Sequence, residues 1–167
     1  MRVLEVLSSH TAAMTGAQTD RMTRDDGWRL LSTGRHLERL GFLAQVLACA
    51  FETGAVHDEA GYEAVVALFD STITFHARYQ QRHDLPALLD LLVLDQDNPR
   101  SLAWVAKTLR SRLARLEGIA SAEPAPAKAG VPGIALTVPD PDAWTLDALC
   151  GDAQLLATLQ QLSLIHI

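Results

Sequence analysis

The residues best able to do chemistry lie in two short segments. In the first, Trp28, Leu31, Arg35, Glu38 and Phe42 follow at intervals of three and four, which puts them on one face of a helix. An arginine and a glutamate then interrupt a stripe that would otherwise be apolar. Exposed, such a pair contributes only ~0.2–0.5 kcal/mol. Buried in a seam, loss of one partner strands the other charge and costs roughly 3–5 kcal/mol. Three readings follow: a buried ion pair that fixes helix register, a contact for a ligand or partner, or acid–base chemistry at Glu38. The last lacks a matched second carboxylate. His36 and Arg39 fall on a neighbouring face, where a solvated role is expected.

The second segment runs Asp95-Gln96-Asp97-Asn98-Pro99-Arg100-Ser101. Two carboxylates one residue apart suit a cation, but a single loop offers too few oxygens for a specific calcium site. Asp97 and Asn98 followed by Pro99 are also what a helix start requires. Capping is the simpler expectation. Arg100 is then out of place, because a cation in the first turn opposes the helix dipole. A carboxylate from another helix would hold it, and Glu38 is one candidate.

Other chemistries find little support. The histidines form no i, i+4 ligand pair, and Cys49 and Cys150 stand far apart, so neither a metal site nor a disulfide framework is expected. His76 continues an apolar stripe and reads as a core histidine. No Gly-rich phosphate loop or nucleophile elbow is present, so neither a cofactor nor an autonomous ATP site is expected in this chain. Formal net charge is −6, and the arginines form no run, which argues against nucleic acid. The longest apolar stretch, Pro86 to Leu94, is short for a bilayer and carries Asp90. A membrane role is not expected, and two scattered cysteines suit the cytoplasm.

The elements that must position these residues are helices. Apolar residues make up 49% of the chain, with Leu and Ala prominent and aromatics few, which favours helix-on-helix packing over a sandwich. Arg2 to Gln18 reads as a helix with Val3, Leu4 and Leu7 on one face. A second, with Thr23 and Asp26 as a capping box, runs from Arg24 to about Thr53 and stops at Gly54. Asp58 caps a third that ends near Arg82, with Tyr62, Val66, Phe69, Ile73 and His76 on its stripe. Asp84 caps a short fourth. A fifth starts at Pro99, carries Leu102, Val105, Leu109, Leu113 and Leu116, and ends at Gly118. Residues 119–140 form a Pro/Ala-rich linker, five prolines falling between Ala120 and Pro141, with Ile134 to Val138 the one weak strand signal. A last helix covers 141–161. The expected fold is all-α: an up-and-down antiparallel bundle of five to six helices.

Two motifs carry a resemblance. Met22-Thr23-Arg24-Asp25-Asp26-Gly27-Trp28-Arg29, running into Gly34-Arg35-His36-Leu37-Glu38-Arg39, resembles the "MTR-D-GWR … GR-ER" signature of bacterial alpha-E domains. Leu94-Asp95 with Asp97-Asn98-Pro99-Arg100-Ser101-Leu102 resembles that family's "LD-D-NPRSL" segment. The likeness covers about residues 1–118, read as the C-terminal half of such a domain. Asp70 to Gln81 looks like the version found at the end of circularly permuted ATP-grasp proteins, and residues 162–167 resemble the translation of a sequencing adapter. A fragment of a longer protein is therefore expected, and an isolated half-domain would expose an apolar face.

The resemblance implies a helical module fused to, or encoded beside, a permuted ATP-grasp domain, sometimes with a transglutaminase-like peptidase. ATP-grasp enzymes join carboxylates to amines, so the expected role is a non-catalytic accessory of such a peptide ligase, docking or presenting substrate. One alternative is an enzyme site built from Arg35, Glu38 and the Asp95–Arg100 loop. Another is a purely structural or oligomerisation domain. The residues singled out as a polar cluster are Arg35, Glu38, Arg39, Asp95, Asn98 and Arg100, with Trp28, Gly34 and Pro99 as structural positions.

Overall fold

The computed structural model describes residues 2–80, 82–116, 138–150 and 152–163, and among them the chain is all-α with no strand. Among the described residues eight α-helices are found, where five to six are expected for the chain. They are α1 (Arg2–Arg21), α2 (Asp26–Glu52), α3 (Glu59–Leu68), α4 (Thr72–Tyr79), α5 (Leu85–Leu89), α6 (Leu102–Leu116), α7 (Leu146–Leu149) and α8 (Asp152–Ser163). The excess arises from two expected helices that break. The chain divides into two compact units, Met1–Ser32 and Thr33–Ile167.

In the first unit, Val3, Leu4, Val6 and Leu7 of α1 are exposed. The start of α2 differs from the Thr23 cap read from the sequence. Asp25 takes that place: its Oδ1 accepts from the Trp28 amide at 3.0 Å, and its carbonyl accepts from the Arg29 amide at 3.0 Å. An ionised acceptor at the positive helix end outcompetes a hydroxyl two residues earlier. Arg24 lies over the Trp28 ring at 4.2 Å, and Arg29 pairs with Asp26 at 2.6 Å.

The second unit holds the core. On α2 the buried stripe is Leu40, Leu43, Ala44, Leu47 and Ala50, not the Trp28-to-Phe42 series. Phe42 is exposed, and Glu38 sits two residues from Leu40, close to the opposite side of the helix. The larger aliphatic set fixes the rotation of α2 and carries Glu38 outward, with Arg35 half-buried. Glu52 ends the helix and Gly54, at φ 74, turns the chain into a short 3₁₀ segment, Ala55–His57. Asp58 caps α3 as expected, accepting from the Gly61 amide at 3.0 Å.

The expected third helix breaks at Asp70, which takes φ 49 between α3 and α4. Aspartate tolerates this left-handed conformation better than most residues. The break resets the helical phase. Tyr62, Val66 and Phe69 are buried as expected, but Ile73 is 88% exposed and Phe75 takes the core position. His76 is exposed rather than a core residue, with Nδ1 3.3 Å from the Gln80 carbonyl.

Asp84 caps α5, accepting from the Ala87 amide at 2.9 Å; this bond, with Arg82, holds its carboxyl below the usual carboxylate range. The helix then widens into a π turn, Asp90–Leu94, closed by the Asp95 amide donating to the Asp90 carbonyl at 2.9 Å. This wider turn lets Leu91, Leu92 and Val93 all enter the core. Along α6, Leu102, Val105 and Leu109 are buried.

Val138, Leu149, Leu155, Leu159 and Leu162 join the same hydrophobic cluster. The 141–161 segment is not one helix but the 3₁₀ turn Pro141–Ala143, α7 and α8, with Thr145 capping α7 through the Ala148 amide. Most of the Pro/Ala-rich stretch and of the strand signal at Ile134, together with Gly118 and Leu164–Ile167, lies outside the described residues. No described helix is long and apolar enough to cross a membrane.

Candidate functional site

Three separated parts of the second unit contribute charged groups to one region: α2 through Arg39, the α3–α4 break through Asp70, and the loop before α6 through Arg100. Arg100 Nε and Nη2 donate to a single oxygen, Asp70 Oδ2, at 2.9 and 2.6 Å. The carboxylate that holds this cation is therefore Asp70, not Glu38. Arg39 lies close enough to feel both partners. Partial burial of its guanidinium, then the charge of Arg100, push its pKa below the ordinary range, while Asp70 acts in the other direction. Arg39 is exposed, in keeping with the solvated face expected for it, and is the member of the α2 motif whose charge couples to the second motif. Glu38 is exposed, and Arg35 is half-buried and not without a partner. His36 stacks against Trp104, with ring centroids 5.9 Å apart.

The Asp95 loop is organised by its own side chains. Asp95 Oδ1 accepts from the Asp97 and Asn98 amides at 2.9 and 3.1 Å, and Oδ2 accepts from Arg78. The Asp95 side chain is only 9% exposed. Asn98 is buried: its amide group donates to the Leu91 carbonyl at 3.1 Å, and its Oδ1 accepts from the Arg100 amide at 3.1 Å. It thereby pairs a carbonyl in the π turn. Pro99 is exposed in the turn. The helix begins later than expected, with Ser101 as cap: its Oγ accepts from the Trp104 amide at 3.1 Å and donates to the Asp95 carbonyl. Asp95, Asn98 and Ser101 set the backbone, and Arg100 is what that backbone presents.

A sequence reading could not have found Asp70 or Arg78 as partners. Both lie on elements whose phase depends on the break at Asp70. The only advance signal was the misplaced cation at Arg100, which demanded a carboxylate without naming it. No group of histidines, cysteines and carboxylates among the described residues could hold a metal ion.

Beside this region lies an aromatic cluster with two strongly perturbed phenols. Tyr79 donates to Asp90 Oδ2, and burial together with that carboxylate pushes its pKa up to about 12. Tyr62 is fully buried and donates to the Asp84 carbonyl at 3.0 Å; burial and the charge of Asp84 push it up further. Raised phenol pKa values mean that the folded chain keeps protons the unfolded chain releases. Stability is unaffected below the usual tyrosine range and falls as pH rises from about 10 to about 12. These are the only tyrosines in the chain. An alkaline titration should therefore show phenolate absorbance appearing late and together with loss of helical circular dichroism. Ordinary titration of both phenols in a folded chain would contradict the burial described.

Comparison with known proteins agrees with the all-α fold. The profile of the Alpha-E family, described as a predicted alpha-helical domain with a conserved ER motif, matches residues 1–163. Glu38–Arg39 is the only Glu–Arg dipeptide in the chain. An uncharacterized protein of Mycobacterium bovis and one of Mycobacterium tuberculosis are each 27% identical to it over 107 residues. Those matches cover 63% of this chain and 12% of each relative, so the chain spans only a small part of the relatives' length. No solved structure matches it. The chain belongs to the Alpha-E family.

Proposed function

We propose that the chain is a non-catalytic helical module of a cytoplasmic ATP-grasp-type ligase system that joins carboxylates to amines. It docks against a permuted ATP-grasp domain or presents substrate to it; a transglutaminase-like peptidase is a further candidate partner. The observation that carries this reading is how the Glu38–Arg39 dipeptide is split. Both residues are exposed, but Arg39 couples electrostatically to Asp70 and Arg100, while Glu38 stands on the far side of α2 from the buried stripe. Gly34 lies one turn earlier on the Glu38 face, and a Cβ added there would meet nothing within 4 Å. A glycine that packing within the chain does not require, beside an outward carboxylate, suits close approach by another surface.

Helix propensity gives the test a clear sign. Gly34→Ala should stabilise the chain by about 0.5–1 kcal/mol, because glycine is the poorer helix former. The same substitution, and Glu38→Arg more strongly, should weaken co-purification with a full-length ATP-grasp partner by about tenfold or more, equivalent to ~1.4 kcal/mol. Unchanged association in both variants, or none with the unaltered chain, would remove the docking role.

A further inference from the structure

The Arg39–Asp70–Arg100 cluster carries an inference that does not depend on any ligase. We propose that Arg39 and Arg100 form a recognition site for a carboxylate, and that Asp70 is an internal carboxylate which a ligand displaces.

The geometry of the existing pair is the first support. A guanidinium binds a carboxylate best through two parallel bonds to two oxygens. Here Nε and Nη2 of Arg100 converge on Oδ2 alone. Asp70 is constrained by its backbone, at φ 49, with its amide donating to the Ala67 carbonyl at 2.8 Å. A free carboxylate has no such constraint and can turn to meet the fork with both oxygens.

Charge and exposure are the second support. Arg100 holds Asp70 directly, and Arg39 feels the charges of both, which adds a second arginine to one acid in a chain whose formal net charge is −6. The Asp70 side chain is 82% exposed and that of Arg100 40% exposed. An exposed ion pair of this kind is weak and exchanges readily with solvent. The arginines themselves stand on fixed backbone: Leu40 and Leu43 bury the adjacent face of α2, and Leu102 and the Asp95–Ser101 network fix the start of α6. The pair is thus held in place while its internal partner is easily released.

Asp70→Asn tests the proposal without breaking the turn, since asparagine also tolerates positive φ. If Asp70 occupies the arginines about nine-tenths of the time, its neutralisation should tighten ligand binding about tenfold. The probe is N-acetylalanine, titrated into the 167-residue chain while the side-chain Nε–H resonances of Arg39 and Arg100 are followed by NMR. N-acetylalanine amide is the neutral control and inorganic phosphate the second anion. Saturable shifts with the carboxylate, tighter in Asp70→Asn and abolished in Arg100→Gln and in Arg39→Gln with α-helical circular dichroism retained, are expected. Equal binding of phosphate would overturn the selectivity for carboxylate. A cluster that is only structural would show no saturable shift in either background and merely a lower thermal midpoint in Asp70→Asn, which overturns the proposal outright.

Discussion

Asp95→Ala is expected to destabilise the chain by about 3 kcal/mol and to lower its thermal midpoint by roughly 6–12 °C. The substitution removes the acceptor of two loop amides, at Asp97 and Asn98, and the partner of Arg78. The Asp95 side chain is only 9% exposed, so water replaces these bonds poorly. The loss extends to buried Asn98 and Ser101, whose bonds to the Leu91 carbonyl and the Asp95 carbonyl depend on the same turn. Asp95→Asn divides the effect. It keeps an acceptor for the amides and loses the ion pair, whose Arg78 end is 48% exposed and therefore contributes about 1 kcal/mol or less. Thermal melts of the two variants decide the matter: near-equal losses would place the weight on Arg78, and a loss under 1 kcal/mol in Asp95→Ala would sink the role of loop organiser.

Gly61→Ala should cost about 2–3 kcal/mol, although alanine is the better helix former by about 1 kcal/mol. A Cβ at Gly61 would run into the carbonyl oxygen of Ala55, with the Ala55 carbonyl carbon at 3.0 Å and Cα at 3.1 Å. The obstacle is backbone, so relief requires the whole Gly54–Asp58 turn to move. That turn carries buried Val56 and the Asp58 cap, which bonds the Gly61 amide itself. Gly34→Ala provides the contrast, since the same chemical change meets open space there and should stabilise. Urea midpoints shifting in opposite directions for the two variants are the expected result. A shift of the same sign at both positions would mean that the turn at Ala55 yields freely.

The structure separates residues that organise the backbone from residues that do not. Asp95, Asn98 and Ser101 bind backbone groups and one another, and they account for the loop without any ligand. Arg100 and Arg39 are different, because neither supports the core and each is held only by charges at the surface. Glu38 departs furthest from expectation. A charged couple inside an apolar-looking stripe suggested a buried seam, yet the stripe that packs is Leu40, Leu43, Ala44, Leu47 and Ala50. Interval counting finds every helical face and cannot by itself say which one has a neighbour.

The sequence by itself determined the all-α class, the long second helix with its stop at Gly54, and the caps at Asp58 and Asp84. All of these rest on local physics: helix propensity, spacing and side-chain acceptors within reach of nearby amides. Tertiary structure decided the rest. Packing chose the inward face of α2, and the demand for Phe75 in the core accompanies the left-handed residue at Asp70. That break rotated Ile73 and His76 into solvent. It also set the carboxylate of Asp70 against Arg100, thirty residues away in the chain. Such pairings depend on the cumulative rotation of every element between the partners. A single residue in an uncommon backbone conformation is enough to redirect them.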